Sequence, residues 1–275
     1  MTGWWDGSGW DGDGGGGILQ YQCTKALVGE NVRTAPAEQY RYVVSISEIN
    51  RYNPHPQRDH GCTGTLISVK DVLTAEHCII RKAWNEIQII IGSNDIWRGT
   101  KFFPSWWITY KRWITIKNIQ QEFKSNDIAI IRLTESVERL SIVPIPLTTI
   151  TNNAEFYGLN VTIVGWGISN TGQTASLLQM ITVNILSNAR CGERVSNLER
   201  RTISFHDRLF CTASEPYGLM HRGDSGGPLI YMGTLIAINK GNCPFTQIVI
   251  HPEKVNIHFG INYYRGYIED VINNF

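Results

Sequence analysis

The sequence predicts an all-β protein folded as two packed barrels or sandwiches, with a helix at the C-terminus. Three observations carry this. Short runs rich in Val, Ile, Thr and aromatic residues recur along the chain, with Gly, Asn, Asp or Pro in the gaps. Helical periodicity is nearly absent until the last residues. The chain has 275 residues, 42% hydrophobic and 18% charged, an ordinary globular balance at a length that favours two β units over one.

Taken in order, residues 1–25 are expected to be a low-complexity tail that could include an activation peptide. Met1 to Gly17 reads MTGWWDGSGWDGDGGGG, with neither the basic start nor the apolar core of a secretory leader. Despite Trp4, Trp5 and Trp10 it has too little apolar surface to pack. Residues 26–275 then read as one domain. Its strand signals are Tyr42 to Ile46, Gly64 to Ser68, Glu86 to Ile91, Asp127 to Leu133, Val161 to Val164, Gln179 to Ile185, Pro228 to Tyr231 and Thr234 to Ile238. Pro144, Pro146 and a Thr-Asn run break the pattern between Leu140 and Asn153. The break separates a first barrel, about 40–145, from a second, about 146–262. Tyr264, Tyr267, Ile268, Val271 and Ile272 recur at spacings of three and four, which predicts the terminal helix over about 263–273.

The formal net charge is +1, so no long-range field draws the chain to nucleic acid or to an anionic membrane. The apolar runs are strand-sized, far below the ~20 residues of a membrane span. None of the six cysteines (Cys23, Cys62, Cys78, Cys191, Cys211, Cys243) lies in a CxxC pair, which argues against a zinc ribbon or a thioredoxin-like motif. An even number of scattered cysteines fits a disulfide framework made in an oxidising compartment. Asn160-Val161-Thr162 is a glycosylation acceptor pattern, although it borders a predicted strand.

The strongest chemical signal is Gly223-Asp224-Ser225-Gly226-Gly227-Pro228. A serine flanked by glycines can sit on a tight turn, its hydroxyl exposed and its backbone N–H groups free to face a reacting oxygen. Serine is a weak nucleophile and needs a base to take its proton. Leu73-Thr74-Ala75-Glu76-His77-Cys78 offers a histidine at the end of an apolar strand. Ser125-Asn126-Asp127-Ile128-Ala129-Ile130-Ile131 offers a carboxylate at the mouth of another. A carboxylate about to be buried needs a partner, and an imidazole N–H supplies one. Gly223-x-Ser225-x-Gly227 also satisfies the nucleophile elbow of α/β-hydrolases. That fold, however, needs alternating strands and helices and the order Ser, Asp, His, which this chain lacks.

LTAEHC, NDIAIIRL and GDSGGP, in that order, resemble the three signature segments of the chymotrypsin/trypsin family of serine endopeptidases. Two supporting segments are also similar: Cys62-Thr63-Gly64-Thr65-Leu66-Ile67-Ser68 and Val164-Gly165-Trp166-Gly167. The resemblance runs from about Leu27 to the C-terminus. It implies two antiparallel six-stranded Greek-key β-barrels with a C-terminal helix, and the hydrolysis of peptide bonds through an acyl-enzyme. His77, Asp127 and Ser225 would be catalytic, with an oxyanion hole from the N–H groups of Gly223 and Ser225. Bridges Cys62–Cys78 and Cys191–Cys211 are implied, and Cys23–Cys243 follows only by parity. The resemblance also implies a secreted monomer made as a zymogen, with protein or peptide substrates, protein inhibitors as further partners, and no metal or organic cofactor.

The departures from the family pattern concern the surroundings of the triad. Asp224 is present to receive a new α-amino group, but the start, Lys25-Ala26-Leu27-Val28-Gly29-Glu30, is a loose match to the usual junction; cleavage after Lys25 is the expectation. Leu219 with Met220 stands where a trypsin-like enzyme has an acidic pocket floor, which predicts an apolar or blocked pocket. The strand expected to hold the substrate backbone reads Ala237-Ile238-Asn239-Lys240-Gly241-Asn242-Cys243, without the family's Ser and Trp. His221 stands where a cysteine partner of Cys243 is usual. These departures leave open a second reading, a family member that binds proteins and cleaves poorly.

Overall fold

The computed structural model describes residues 26–244 and 251–275. Two sheets of seven strands, each entirely antiparallel, carry the fold. In the first, the strands run in the spatial order Thr100–Phe102, Ile87–Ile91, Val43–Glu48, His60–Leu66, Asp71–Thr74, Ala129–Leu133 and Pro104–Thr109. This sheet curls without a pairing that joins its two edges among the described residues. The second contains Asn160–Gly165, Pro228–Tyr231, Thr234–Cys243, Val255–Gly260, Leu209–Ala213 and Gln179–Leu186. It closes as a six-stranded barrel through the pairing of Asn160–Gly165 with Gln179–Leu186. Arg33–Thr34 adds a short edge strand outside the ring.

The strands are buried on most positions rather than alternating. Ile87–Ile91 and Val255–Gly260 are buried throughout, as expected where one face meets the barrel interior and the other meets helix or neighbouring sheet. A single apolar cluster joins the two halves. It includes Val43, Ile108 and Ile130 from the first, Val164, Trp166, Leu235 and Ile238 from the second, and Tyr264, Tyr267, Ile268 and Val271 from the C-terminal segment. The helix Arg265–Asn274 is preceded by a 3-10 turn, Ile261–Tyr264, and faces the core with Tyr267, Ile268 and Val271. It is clipped to the first sheet and to the helical turn that follows its strand Pro104–Thr109 by polar contacts: Tyr267 OH donates to Ile108 O at 2.6 Å, Trp113 Nε1 to Asp270 Oδ2 at 2.7 Å, and Arg132 to Val271 O at 3.1 Å.

Besides the single turn Pro56–Asp59, two longer helices depart from the sequence expectation. Tyr110–Ile116 follows directly on a strand; the Thr109 hydroxyl accepts from Arg112 N and caps it. Asn188–Glu199 is capped by Ser187 and ends at Arg200 in the left-handed region, φ 55°. Its buried face is only Cys191, Gly192 and Val195, too narrow to give a clear helical period. The Cys191–Cys211 disulfide, Cα atoms 6.2 Å apart, fastens it to the second barrel. Asn160 is exposed at the first position of its strand. No helix among the described residues is long and apolar enough to cross a membrane.

Candidate active site

His77 lies in a 3-10 turn, Glu76–Cys78, at the end of the buried strand Asp71–Thr74. Cys78 is bridged to Cys62 on the neighbouring strand, Cα to Cα 6.0 Å, so the turn is fixed from both sides. Asp127 sits two residues before the strand Ala129–Leu133, which pairs with Asp71–Thr74 and therefore delivers it beside His77. The carboxylate grips the histidine twice. Asp127 Oδ2 accepts from His77 Nδ1 at 2.7 Å, and Oδ1 accepts from the backbone N–H of His77 at 2.9 Å. Burial alone would raise the Asp127 carboxyl. The hydrogen bonds and charge of His77, with the charge of Lys240, outweigh it and hold Asp127 below the ordinary carboxylate range. Because Nδ1 is the donor, Nε2 of the neutral ring is a bare acceptor. It is buried and has no partner among the described residues. Tyr264 OH donates to Asn126 Oδ1 at 2.8 Å and steadies the loop that carries Asp127.

Ser225 is buried on a turn between Gly218–His221 and Pro228–Tyr231. Two glycines are needed for the shape of this turn. Gly223 has φ 109° and Gly226 φ 78°, where a side chain is strained. A Cβ on Gly226 would also lie 2.1 Å from Thr74 Oγ1 and 2.5 Å from Thr63 O. That closeness shows how tightly the turn abuts the strand leading into His77. Thr63 N–H donates to Ser225 O at 3.0 Å, and Gly226 N–H to Asn239 O at 2.8 Å. The hydroxyl of Ser225 donates to Lys240 O at 3.3 Å, so in this conformation it is not bonded to His77.

The backbone on either side of Gly223 is pinned. Arg222 O accepts from Ile168 N–H at 2.9 Å, and a planar trans peptide then points the Gly223 N–H away from that loop. Gly223 O accepts from Thr63 Oγ1 at 2.9 Å and from His60 Nε2 at 3.1 Å. No carbonyl among the described residues accepts from the N–H of Gly223 or of Ser225. Asp224 points inward. Its carboxyl accepts from Gly167 N at 2.9 Å, from His221 N at 3.2 Å and from the amide of Leu27. Burial pushes it up to about 7, with the Gly167 and Leu27 N–H groups pulling the other way.

Two buried histidines that the sequence reading did not single out support this turn. His60 accepts at Nδ1 from Ser45 Oγ at 2.7 Å while donating to Gly223 O, which makes it a neutral ring. His258 donates from Nδ1 to Asn239 Oδ1 at 2.9 Å and accepts at Nε2 from Thr212 at 3.0 Å. Asn239 in turn donates to Asp224 O at 3.2 Å. Burial lowers His60 to about 4 and His258 to about 3. Neither lies in a motif, and only their packing distinguishes them from surface histidines.

The residues read as pocket liners are packed away. Leu219 and Met220 are each 1% exposed, and Gly241 is buried in strand pairing. Two amides span the space between these segments. Asn242 Nδ2 donates to Met220 O at 2.6 Å; Asn256 accepts from Met220 N at 2.7 Å and donates to Gly218 O at 2.9 Å. Cys62, His77 and Cys78 cluster closely enough to suggest metal ligands, but both sulfurs are spent in the disulfide. Cys243 is also disulfide-bonded; Cys23 and Lys25 lie outside the described residues.

The chain is similar to known proteins in sequence and in fold. The family model described as Trypsin matches residues 30–251. Trypsin delta of Drosophila erecta is 29% identical over 184 residues, covering 65% of this chain and 67% of that protein. The vitellin-degrading protease of Bombyx mori is 28% identical over 218 residues, covering 78% and 77%. Among solved structures, neuropsin, a serine protease expressed in the limbic system of mouse brain, superposes with a TM-score of 0.68 at 21% identity. That match covers 88% of this chain and 99% of neuropsin, and it shows the shared fold. With a chymotrypsin-like fold and a family match over most of its length, the chain belongs to the trypsin family of serine proteases.

Proposed function

We propose that the chain is a serine endopeptidase whose nucleophile is Ser225, whose base is His77 and whose orienting acid is Asp127. One observation supports this above the others. His77 is held at two atoms by Asp127, and its Nε2 is left bare beside the strand-end against which the Ser225 turn packs. Rotation of the Ser225 hydroxyl from Lys240 O to Nε2 would complete the relay; such bonds are commonly loose without substrate. Oγ then attacks the peptide carbonyl carbon as its proton passes to Nε2. The oxyanion is received by the N–H groups of Gly223 and Ser225, worth ~3–4 kcal/mol per donor. Nε2 returns the proton to the leaving amine as the C–N bond breaks, and water hydrolyses the acyl-enzyme by the same route in reverse.

In this reading the specificity is not trypsin-like. Leu219 supplies no charge for a basic side chain, and the Asn242 and Asn256 amides occupy the space beside it, which favours small residues at the cleavage site. The chain acts on protein or peptide substrates as a secreted monomer, the disulfides fitting an oxidising compartment. Conversion from a zymogen belongs to the same reading. The amide at Asp224 is that of Leu27, so cleavage after Ala26 delivers an ammonium to the atom already at the carboxyl. Cleavage after Lys25 leaves it one residue away. N-terminal sequencing of the active form decides between the two.

The closed pocket and the Ser225 hydroxyl bonded away from His77 favour one alternative, a binding homologue that cleaves poorly. A serine-directed fluorophosphonate separates the readings. Labelling at Ser225 is expected after processing. Labelling no greater than in Ser225→Ala would reject the endopeptidase.

A further inference from the structure

A row of buried polar side chains crosses three neighbouring strands of the second barrel and ends on the Ser225 turn. Thr212, His258 and Asn239 are each 0% exposed. His258 stands directly opposite Asn239 in the pairing of Val255–Gly260 with Thr234–Cys243. On its other side Thr212 pairs with Asn256, so His258, two residues on, is the diagonal neighbour of Thr212 and within side-chain reach. Regular pairing stops just beyond Asn239, at a bulge whose extra residue is Lys240, and such irregularities are common beside active sites.

The end of the row at Asp224 fixes the direction of every bond in it. Asp224 O is a carbonyl and only accepts, so the group of Asn239 that meets it at 3.2 Å is the amide N–H. The side-chain oxygen of Asn239 is then left to accept from His258 Nδ1–H, at 2.9 Å. In that neutral tautomer His258 Nε2 accepts from the Thr212 hydroxyl, at 3.0 Å. All three bonds donate toward the turn, and bonds in series polarise one another. A half-satisfied polar row in a barrel interior is costly; this one has a partner at each step.

Asp224 O belongs to the peptide whose other end is the N–H of Ser225. In a trans peptide the two point in opposite directions, so whatever holds the carbonyl aims the N–H. Gly227 N–H also donates to Asp224 O, at 3.1 Å, and closes the turn on itself. Asn239 adds a hold from outside the turn. Its backbone grips the same loop, donating to Gly227 O at 2.8 Å and accepting from Gly226 N–H at 2.8 Å. At the opposite end of the peptide, the Ser225 N–H donates to no carbonyl among the described residues. We infer that Asn239 is a positioning residue: with His258 and Thr212 behind it, it aims and polarises the Ser225 N–H for the oxygen that becomes negative during attack. The inference rests on the reading of Ser225 as the nucleophile and of its N–H as an oxyanion donor.

The test reads that peptide directly. Asp224-Ser225 is the only Asp-Ser pair in the sequence, so the full chain grown with carbonyl-labelled aspartate and amide-labelled serine gives one correlated NMR signal. Thr212→Val, which keeps the shape and removes the hydroxyl, is expected to move its carbonyl and N–H resonances upfield. Thr212→Ser should leave them at the parent position. A packing change at Thr212, two side chains away from Asp224, would not reach the signal. In the processed protein, Asn239→Leu is expected to slow fluorophosphonate labelling at Ser225 about tenfold, with binding of a reversible inhibitor unchanged. An unmoved signal in a folded Thr212→Val protein overturns the inference, as does labelling of Asn239→Leu at the parent rate. If Asn239→Leu does not fold, labelling is compared in the Thr212 pair, slower in Thr212→Val and restored in Thr212→Ser. A signal that moves in Thr212→Val while the parent is never labelled at Ser225 upholds the aiming of the N–H and rejects the endopeptidase.

Discussion

At Asp127 a single carboxylate has two duties, and they can be separated by substitution. Asp127→Asn keeps the shape but offers an amide N–H where His77 Nδ1–H needs an acceptor, which forces the wrong tautomer. The expected loss is about four orders of magnitude in kcat, with binding of a competitive inhibitor little changed. Gly226→Ala belongs to another class. Its Cβ would meet Thr74 Oγ1 and Thr63 O at a φ of 78°, so the turn must move. A fall in Tm together with lost fluorophosphonate labelling is expected; a stable, fully labelled variant would show that the turn tolerates a side chain. The sequence pointed to the proposed triad because these residues sit in long, ordered motifs. His60, His258 and Asn239 were not legible, since a buried histidine in a polar relay and a solvated one look alike in a string of letters.

Among the elements, the eight strand runs read from the sequence are strands, while the strands Leu209–Ala213 and Val255–Gly260 and the helices Tyr110–Ile116 and Asn188–Glu199 were missed, the last for a reason visible in its packing. Its buried side is a narrow stripe, and a bridge to Cys211 supplies the anchoring that a broad apolar face would otherwise give. Replacing both Cys191 and Cys211 with Ala opens a loop of 20 residues. The expected cost is about 3 kcal/mol, seen as a Tm lower by roughly 5–10 °C. Labelling at Ser225 should survive at low temperature, because Gln179–Leu186 and Leu209–Ala213 keep their own pairing. The strand Thr234–Cys243 shows the converse limit. Its β character was read as far as Ile238, but a bulge at Lys240 leaves no mark in composition, and with it went the orientation of the lysine.

For the whole molecule, pH acts through buried groups with opposite signs. His60, lowered to about 4, and His258, lowered to about 3, are neutral when folded but take up protons near 6.5 when unfolded. Their contribution is present above 6.5 and is lost as pH falls toward 4 and 3. Asp224 in the uncut chain is raised to about 7 from 3.8, so the folded state holds its proton and gains stability as pH falls through that window. Two histidines oppose one aspartic acid over nearly the same range, and a net loss of stability on acidification from 6.5 to 4 is expected. Thermal melts at stepped pH check it, and His258→Asn should flatten the slope. The C-terminal segment adds a consequence in time. Tyr264, 138 residues after Asn126, holds the loop that carries Asp127, and the helix behind it clips the first sheet. During synthesis the amino-terminal half leaves the ribosome before this brace exists. A nascent chain therefore carries His77, Asp127 and Ser225 before it can hold them in register, and completion of the proposed site waits on a turn made after all three.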